Sequence, residues 1–466
     1  MKKHVHQLAT ILLLLVSASS LQGQIGTSGQ TPGSPIPATP LSIKQAVSIA
    51  LQNNNSYRAA QQGRDAAKTK ISQALSNYLP QLNFDETITR GNNPVYVFGS
   101  LLTQRQFGPE NFNIVSLNRP DALDNFQAKL SLQQVIYDAG KIRGYVGQAR
   151  LGEEIARKDV ERTKQELIFR VVKAYTLHLL ARSGQQVAED AVKTAAAAQT
   201  RADSMFQSGM IVESDKLAAQ VFRSRMEEAL LQARNQVALS MAALNFELGL
   251  PVDSPVEVSS DLTEARFDAP PETSLFQQAL EQRPDYLQTL LMKDIAKKGV
   301  TVARSEFLPQ AGFFGSWESD TQTLTQRGGN NWIVGAQVHI NLFHGRGDQA
   351  RLEEAKANLE RSTSMSQYMS SAVKLQVKQA SLDLETSRQR LDVTQSAIAQ
   401  AEESLRITLN RYGAGLTTIT DLLRAQTDLT QARTAHLQAL FDHRIAKANL
   451  ELASGTLNEN SEVVNP

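Results

Sequence analysis

Few residues of this 466-residue chain stand in a pattern that carries chemistry. It has no HExxH, nucleophile elbow or phosphate-binding loop, and the glycines from Gly140 to Gly147 lack the spacing of a dinucleotide fingerprint. Of seven histidines, His4 and His6 lie in an apolar N-terminal stretch, and the others lack ligand spacing. His436 and His443, seven apart, sit about 10.5 Å apart along a helix, too far to share a metal ion, and are read as interface or lumen-facing side chains. No cofactor is expected. The acids and aromatics that do recur lie in Met205 to Gln220, MFQSGMIVESDKLAAQ, and Arg411 to Gln426, RYGAGLTTITDLLRAQ. In each, an aromatic (Phe206, Tyr412) precedes a glycine (Gly209, Gly415) by three, and an aspartate (Asp215, Asp421) follows the glycine by six. Leu217 and Leu423, then Gln220 and Gln426, continue the match, every pair being 206 positions apart. The chain is a duplication, and its two copies of the motif do the same job.

Each motif sits between long proline-free segments of helical composition. The glycine is read as the left-handed residue ending one helix, with Ser214 or Asp215, and Thr420 or Asp421, as candidate N-caps of the next. Each motif is then the tip of a helical hairpin; the plainer reading is an ordinary interhelical turn. The descending helices, about Lys141 to Phe206 and Asp348 to Tyr412, would be roughly 100 Å long at 1.5 Å per residue. Such helices need lateral partners along their whole length. Val377, Leu384, Leu391, Ile398, Leu405 and Tyr412 form a heptad seam. Beside it runs a row of small residues, Ala380, Ser387, Thr394, Ala401 and Thr408, matched in the first half by Ala174, Ala181, Ala188, Ala195 and Ala202. Small residues let backbones approach, so the helices can pack as staves; an ordinary two-stranded coiled coil is the alternative. The returning helices, about Asp215 to Leu248 and Asp421 to Ala453, carry Leu230, Val237 and Leu244 where the second half has His436, His443 and Leu450.

Upstream of each long helix the period changes to two. Helical spacing from Leu41 to about Asn77, and from Glu272 to Glu306, ends at Leu79-Pro80-Gln81 and Leu308-Pro309-Gln310. Then apolar residues alternate with polar ones in Leu82, Phe84 and Ile88, in Phe126, Ala128, Leu130 and Leu132, in Ala311, Phe313, Gly315 and Trp317, and from Val334 to Leu342. Each half thus holds one β-hairpin with strands roughly ten residues long, the length of a transmembrane β-strand. A half-exposed soluble sheet would alternate likewise, but would want a covering layer that these helices are too long to supply. The first hairpin's loop, about Arg90 to Asp124, is the longer, and long barrel loops usually face the cell exterior.

Residues 1–23 have a basic start, an apolar run from Leu8 to Val16 and then small residues, the pattern of a cleaved export signal. Losing Lys2 and Lys3 takes the formal charge from +1 to −1, which gives nucleic-acid binding no support. Absence of cysteine excludes disulfides, thiolate metal sites and an N-terminal lipidated Cys. Beyond the signal no stretch approaches the roughly 18 apolar residues of a membrane helix, so the exported chain is soluble or crosses by β-barrel. The expected organisation is a Pro-rich leader at 24–40, a first structural repeat at 41–250, a linker at 251–271, a second repeat at 272–455 and a polar tail at 456–466.

In its doubled order of helix, hairpin, long helix, tip and helix, its two Leu-Pro-Gln junctions and its paired tips, the chain resembles the outer-membrane efflux protein family, the TolC-type exit ducts, over about Leu41 to Gly455. The resemblance implies a mainly α fold with transmembrane β: a duplicated long-helix α-barrel plus four strands per chain. Four strands cannot close a barrel; a dimer would give eight and a trimer twelve, and the family is trimeric. It implies a homotrimer in outer-membrane lipid, extending into the periplasm as a passive conduit of efflux or type I secretion. Its partners would be a periplasmic adaptor (membrane fusion) protein and an inner-membrane pump. Carried over by position, Tyr412 and Asp215 form a tip link and Asp421 is the constricting acid. The family's basic residue after the second glycine and its second acid are here Thr417 and Arg424. The reading from another class is an exported coiled-coil structural protein without a pore.

Overall fold

The computed structural model describes residues 40–465 except 260, 263–266, 268–269 and 325–327; the export signal and nearly all of the Pro-rich leader lie outside them. Helices α1 (Ile43–Asn53) and α2 (Asn55–Ser76) lead to strand β1 (Gln81–Gly91). The loop that follows holds α3 (Pro94–Thr103), a 3-10 turn and α4 (Ile114–Asn118) before β2 (Leu123–Tyr137). Helix α5 (Lys141–Gln207) descends to the first tip, and α6 (Glu213–Leu248) returns. The second half repeats this plan with α7 (Glu272–Gln282), α8 (Pro284–Ser305), β3 (Gln310–Thr321), β4 (Gly329–His339), α9 (Gly347–Gly413) and α10 (Ile419–Ser454). Both descending helices have 67 residues, about 100 Å, as their uninterrupted period requires. Among the described residues no helix is long and apolar enough to cross a membrane.

The four strands make one antiparallel sheet in chain order, so β1 and β4 are both free edges. Register follows the alternation. Phe84 faces Leu130, Leu130 faces Trp317, and Trp317 faces Trp332, which puts an apolar row on one face. Asp85 faces Lys129, Lys129 faces Glu318, and Gln127 faces Asp320 on the other. Strand β4 stops at His339, short of the alternation through Leu342. Below the sheet the staves stand in the order of the strands they continue: α2, α5, α8 and α9 in the upper half, and α6, α5, α10 and α9 in the lower. Each level has the same two lateral edges, α2 or α6 on one side and α9 on the other.

Neither upstream helix is continuous. Asn54 is the C-cap of α1 and, through its side chain, the N-cap of α2; its Nδ2 donates to Glu247 O at 2.9 Å. Arg283 stands at the equivalent place before Pro284, its Nη1 donating to Ala453 O at 3.1 Å. At these joints a rising helix ends and a new one continues its stave, because the polar side chain satisfies carbonyls that a helix end leaves bare. Burial raises the Asp285 carboxyl there, but the hydrogen bonds and charge of Arg283 outweigh it and hold the group below its ordinary range.

The main core lies at this level. Tyr175 is fully buried, and its hydroxyl donates to Leu41 O at 2.7 Å. Val256 and Val258, from the segment expected as a linker, join that core, and Leu41 forms a parallel bridge with Val258. Leu457, Val463 and Val464 are buried in it as well, so the tail is polar in composition but anchored by its apolar residues. The expectation for the histidines is corrected. His443 is 1% exposed inside the chain, its Nε2 accepting from the Phe267 N–H at 3.3 Å and its Nδ1 2.9 Å from Ser387 Oγ. His436 makes the next rung with Thr394 Oγ1 at 3.0 Å. Ser387 and Thr394 belong to the small-residue row, so these histidines fill the α9–α10 seam at positions where the first repeat has Val237 and Leu230, and Ala181 and Ala188 in place of the hydroxyls.

Candidate functional site: the paired helical tips

The two tips form by the same backbone device. Gly209 and Gly415 both have φ of +72°, the left-handed region that side chains resist. Around each, the Schellman pair closes the helix: Gly209 N to Phe206 O and Met210 N to Met205 O, then Gly415 N to Tyr412 O and Leu416 N to Arg411 O, all at 2.8–3.0 Å. A Cβ at either glycine would meet nothing within 4 Å, so the dihedral angle and not crowding demands glycine.

The starts of the returning helices differ from expectation. The N-caps are Val212 and Thr418, three residues before the aspartates. Thr418 and Asp421 make a capping box: the Asp421 N–H donates to Thr418 Oγ1 (3.2 Å), and the Thr418 N–H donates to Asp421 Oδ2 (3.2 Å). The hydroxyls of Thr418 and Thr417 also donate to Oδ2, each at 2.7 Å. Those bonds, Thr418 first, hold the Asp421 carboxyl below the ordinary carboxylate range. The box is therefore complete above the unfolded carboxyl's pKa and is lost as pH falls through the lowered folded value. The Val212 cap supplies no side-chain hydrogen bond, so Asp215 serves α6 only as an acid in its first turn. Thr418→Ala is expected to speed amide exchange at Asp421 by about fivefold, a typical N-cap effect, leaving the first tip unchanged.

Tyr412 is 2% exposed, packed with Ile419 and Leu422 and lined by Met205, Leu405 and Leu423. Its hydroxyl is buried without a hydrogen-bond partner among the described residues. Burial raises its pKa; the charge of Asp215 adds to this and that of Arg201 opposes it. The structure thus brings Tyr412 and Asp215 into electrostatic range with no direct bond between them. At the first tip Phe206 lies under Lys216, whose Nζ is 5.1 Å from the ring centroid. Leu422 is the repeat equivalent of Lys216, as Tyr412 is of Phe206, so one tip is closed by a cation over a ring and the other by an aliphatic group against one. Spacing did not single out Arg201 or Lys216; the 206-residue offset links Lys216 to Leu422. Arg424 is exposed, with no ion-pair partner among the described residues. The site is an arrangement of hinges, caps and charges at the far end of the staves from the sheet, suited to holding helices together or letting them part.

The family model described as outer membrane efflux protein matches residues 46–250 and 275–456. Alkaline protease secretion protein AprF of Pseudomonas aeruginosa is 24% identical over 430 residues, covering 90% of this chain and 85% of the relative. Outer membrane protein TolC of Escherichia coli K12 is 23% identical over 435 residues, 90% of this chain and 83% of its own. The crystal structure of the Campylobacter jejuni CmeC outer membrane channel superposes with a TM-score of 0.76 at 19% identity, covering 91% of this chain and 88% of the other. With both repeats matched and the interrepeat segment left between them, this chain belongs to the outer membrane efflux protein family and is a protein of the outer membrane.

Proposed function

We propose that three copies close head to tail into a passive exit conduit, a twelve-stranded barrel in the outer membrane continued by an α-barrel through the periplasm. The observation that carries this is the open pair of edges repeated at every level of the chain. Among the described residues no strand pairs with the outer side of β1 or β4, and four strands are too few to close. Exposed apolar residues of the two edge staves fall on stripes. On α6, Leu217, Leu231, Leu239 and Phe246 lie on one face; on α9, Tyr368, Leu375, Leu382, Val393 and Ile407 do. The sheet's apolar face, with Phe84, Trp317 and Trp332 exposed, suits lipid, and its polar face suits an aqueous lumen.

The conduit performs no chemistry and binds no nucleic acid. An inner-membrane pump loads it through a periplasmic adaptor, a reading in keeping with the secretion role that the name of its relative AprF carries, and the pump sets the cargo. The tips are its gate. Gly209 and Gly415 end the helices there, Tyr412 and Asp215 restrain the closed form, and Asp421 beside Thr417 and Arg424 lines the narrowest ring. An adaptor opens the tips by contacting the open state better than the closed. Reconstituted protein is expected to give discrete conductance steps in planar lipid and to run as a heat-dissociable trimer. Asp215→Ala with Tyr412→Phe raises the conductance, and Asp421→Lys shifts cation selectivity. A monomer without ion flux refutes the conduit; a conducting trimer indifferent to all three substitutions refutes only the gate.

A further inference from the structure

The loop between β1 and β2 is folded back onto the polar face of the sheet. Helix α3 turns Val97, Ser100 and Gln104 toward β2, all three buried. Gln104 Nε2 donates to Asn125 Oδ1 at 2.8 Å, and Asn125 Nδ2 donates to Asp320 Oδ1 at 2.9 Å. Gln127 Nε2 reaches the same carboxylate oxygen at 3.1 Å. Asp320, 1% exposed, is the hub of this network. The end of α3 is also tied to β4. Asn331 Nδ2 donates to Thr103 O at 3.1 Å, Arg105 Nη2 donates to Asn330 O at 2.8 Å, and a Cβ at Gly329 would stand 1.8 Å from Thr103 O. Asn125, Gln127 and Asp320 occupy the strand face opposite Leu130, Trp317 and Trp332.

The outward side of α3 is apolar. Val95, Phe98 and Leu102 lie on the stripe opposite Val97, Ser100 and Gln104, and all three are exposed, Val95 at 81%. An apolar helix face is normally buried against another element, yet this one is bare in the single chain. Phe107 stacks edge-on between Phe98 and Phe112, extending the patch toward the equally exposed Ile114 and Val115. Lipid cannot cover it, because α3 is docked on the face that carries the polar side chains.

We propose that this loop is an exit-side lid: in the closed cylinder, on which this inference rests, each copy's α3 stripe packs against those of the other copies across the barrel mouth. The occupant of the bare face is a second copy of the same segment. The docked loop occupies the polar, inner side of the sheet, so its free stripe points toward the axis where the copies converge. A ring of such residues excludes bulky solutes and resists wetting.

The chain has no cysteine, so a single introduced thiol reports cleanly. In the assembled full-length protein, Phe98→Cys is expected to form an oxidant-dependent disulfide between copies, whereas Phe84→Cys on the lipid face forms none. A thiol placed in the lumen wall, Lys129→Cys, is expected to label slowly when a bulky maleimide is applied outside intact cells. Adding Phe98→Asp or Gln104→Ala raises that labelling by roughly tenfold, as opening an apolar constriction should. Two lid variants are used so that misfolding of one does not decide the result. This labelling is independent of the tips, which lie at the other end. A conducting trimer in which Phe98→Cys never crosslinks and Lys129→Cys labels fast without lid substitutions overturns the lid alone; failure to assemble overturns the conduit and the lid together.

Discussion

Gly249→Ala is expected to lower the temperature at which the assembled protein loses its helices roughly twice as much as Gly209→Ala, although both glycines have φ near +71°. At Gly209 the new Cβ meets nothing within 4 Å, so the cost is the left-handed backbone alone, about 1–2 kcal/mol. At Gly249 it would stand 2.7 Å from the carbonyl carbon and oxygen of Asn53, main-chain atoms that cannot swing aside. That overlap adds about 1–3 kcal/mol of overpacking at the joint where α6 meets the α1–α2 break. Asn54, which ties that joint to Glu247 O, would have to move as well. Circular dichroism melts of both variants in detergent decide the matter: equal shifts would mean that the joint yields and does not brace the stave.

Leu231→Asp is expected to abolish trimers, and Val393→Lys in the same chain to restore part of them. The pairing comes from levels along the staves. In the first coil His178 faces Ser240, and in the second Ser387 faces His443 and Thr394 faces His436. Since α5 and α9 both run 67 residues from sheet to tip, residues 206 apart stand level. Leu231 of α6 is then level with residue 187 of α5 and so with Val393 of α9, and Leu217 is likewise level with Ile407. Val393 and Leu231 are among the most exposed aliphatic side chains of the staves, at 69% and 65%. A lone carboxylate buried at that contact costs several kcal/mol in each of three interfaces, and an ammonium facing it offsets part of the loss. Ile407→Lys stands 14 residues lower, about 21 Å away, and should not rescue. Sedimentation of the three variants in detergent tests this, and rescue by Ile407→Lys as readily as by Val393→Lys would exclude the proposed register.

The tip geometry shows how far repetition carries. A Gly209 or Gly415 that must be left-handed declares itself by residue type and position, and the 206-residue offset relates both hinges, both long helices and the strands β2 and β4, whereas β1 and β3 start 229 residues apart. The N-caps fall outside the residues that the sequence suggests because serine, threonine and aspartate occur together there, and the hydroxyl that caps α10 is chosen by where the backbone leaves the turn at Thr418.

Local preference and period therefore determined, from the sequence by itself, the four strands, the long helices with their lengths and that the plan is doubled, because such choices depend on near neighbours along the chain; the short helices α3 and α4 inside the first hairpin's loop were not among them. Tertiary structure alone decided what covers each face. It put His443 against Ser387 in the seam, buried Val463 and Val464 of a polar tail, broke the upper staves at Asn54 and Arg283, and docked α3 on Asp320. Each of those outcomes depends on a partner far away in sequence, as Asn125 and Asp320 are, and burial free energy belongs to the pair and not to either residue.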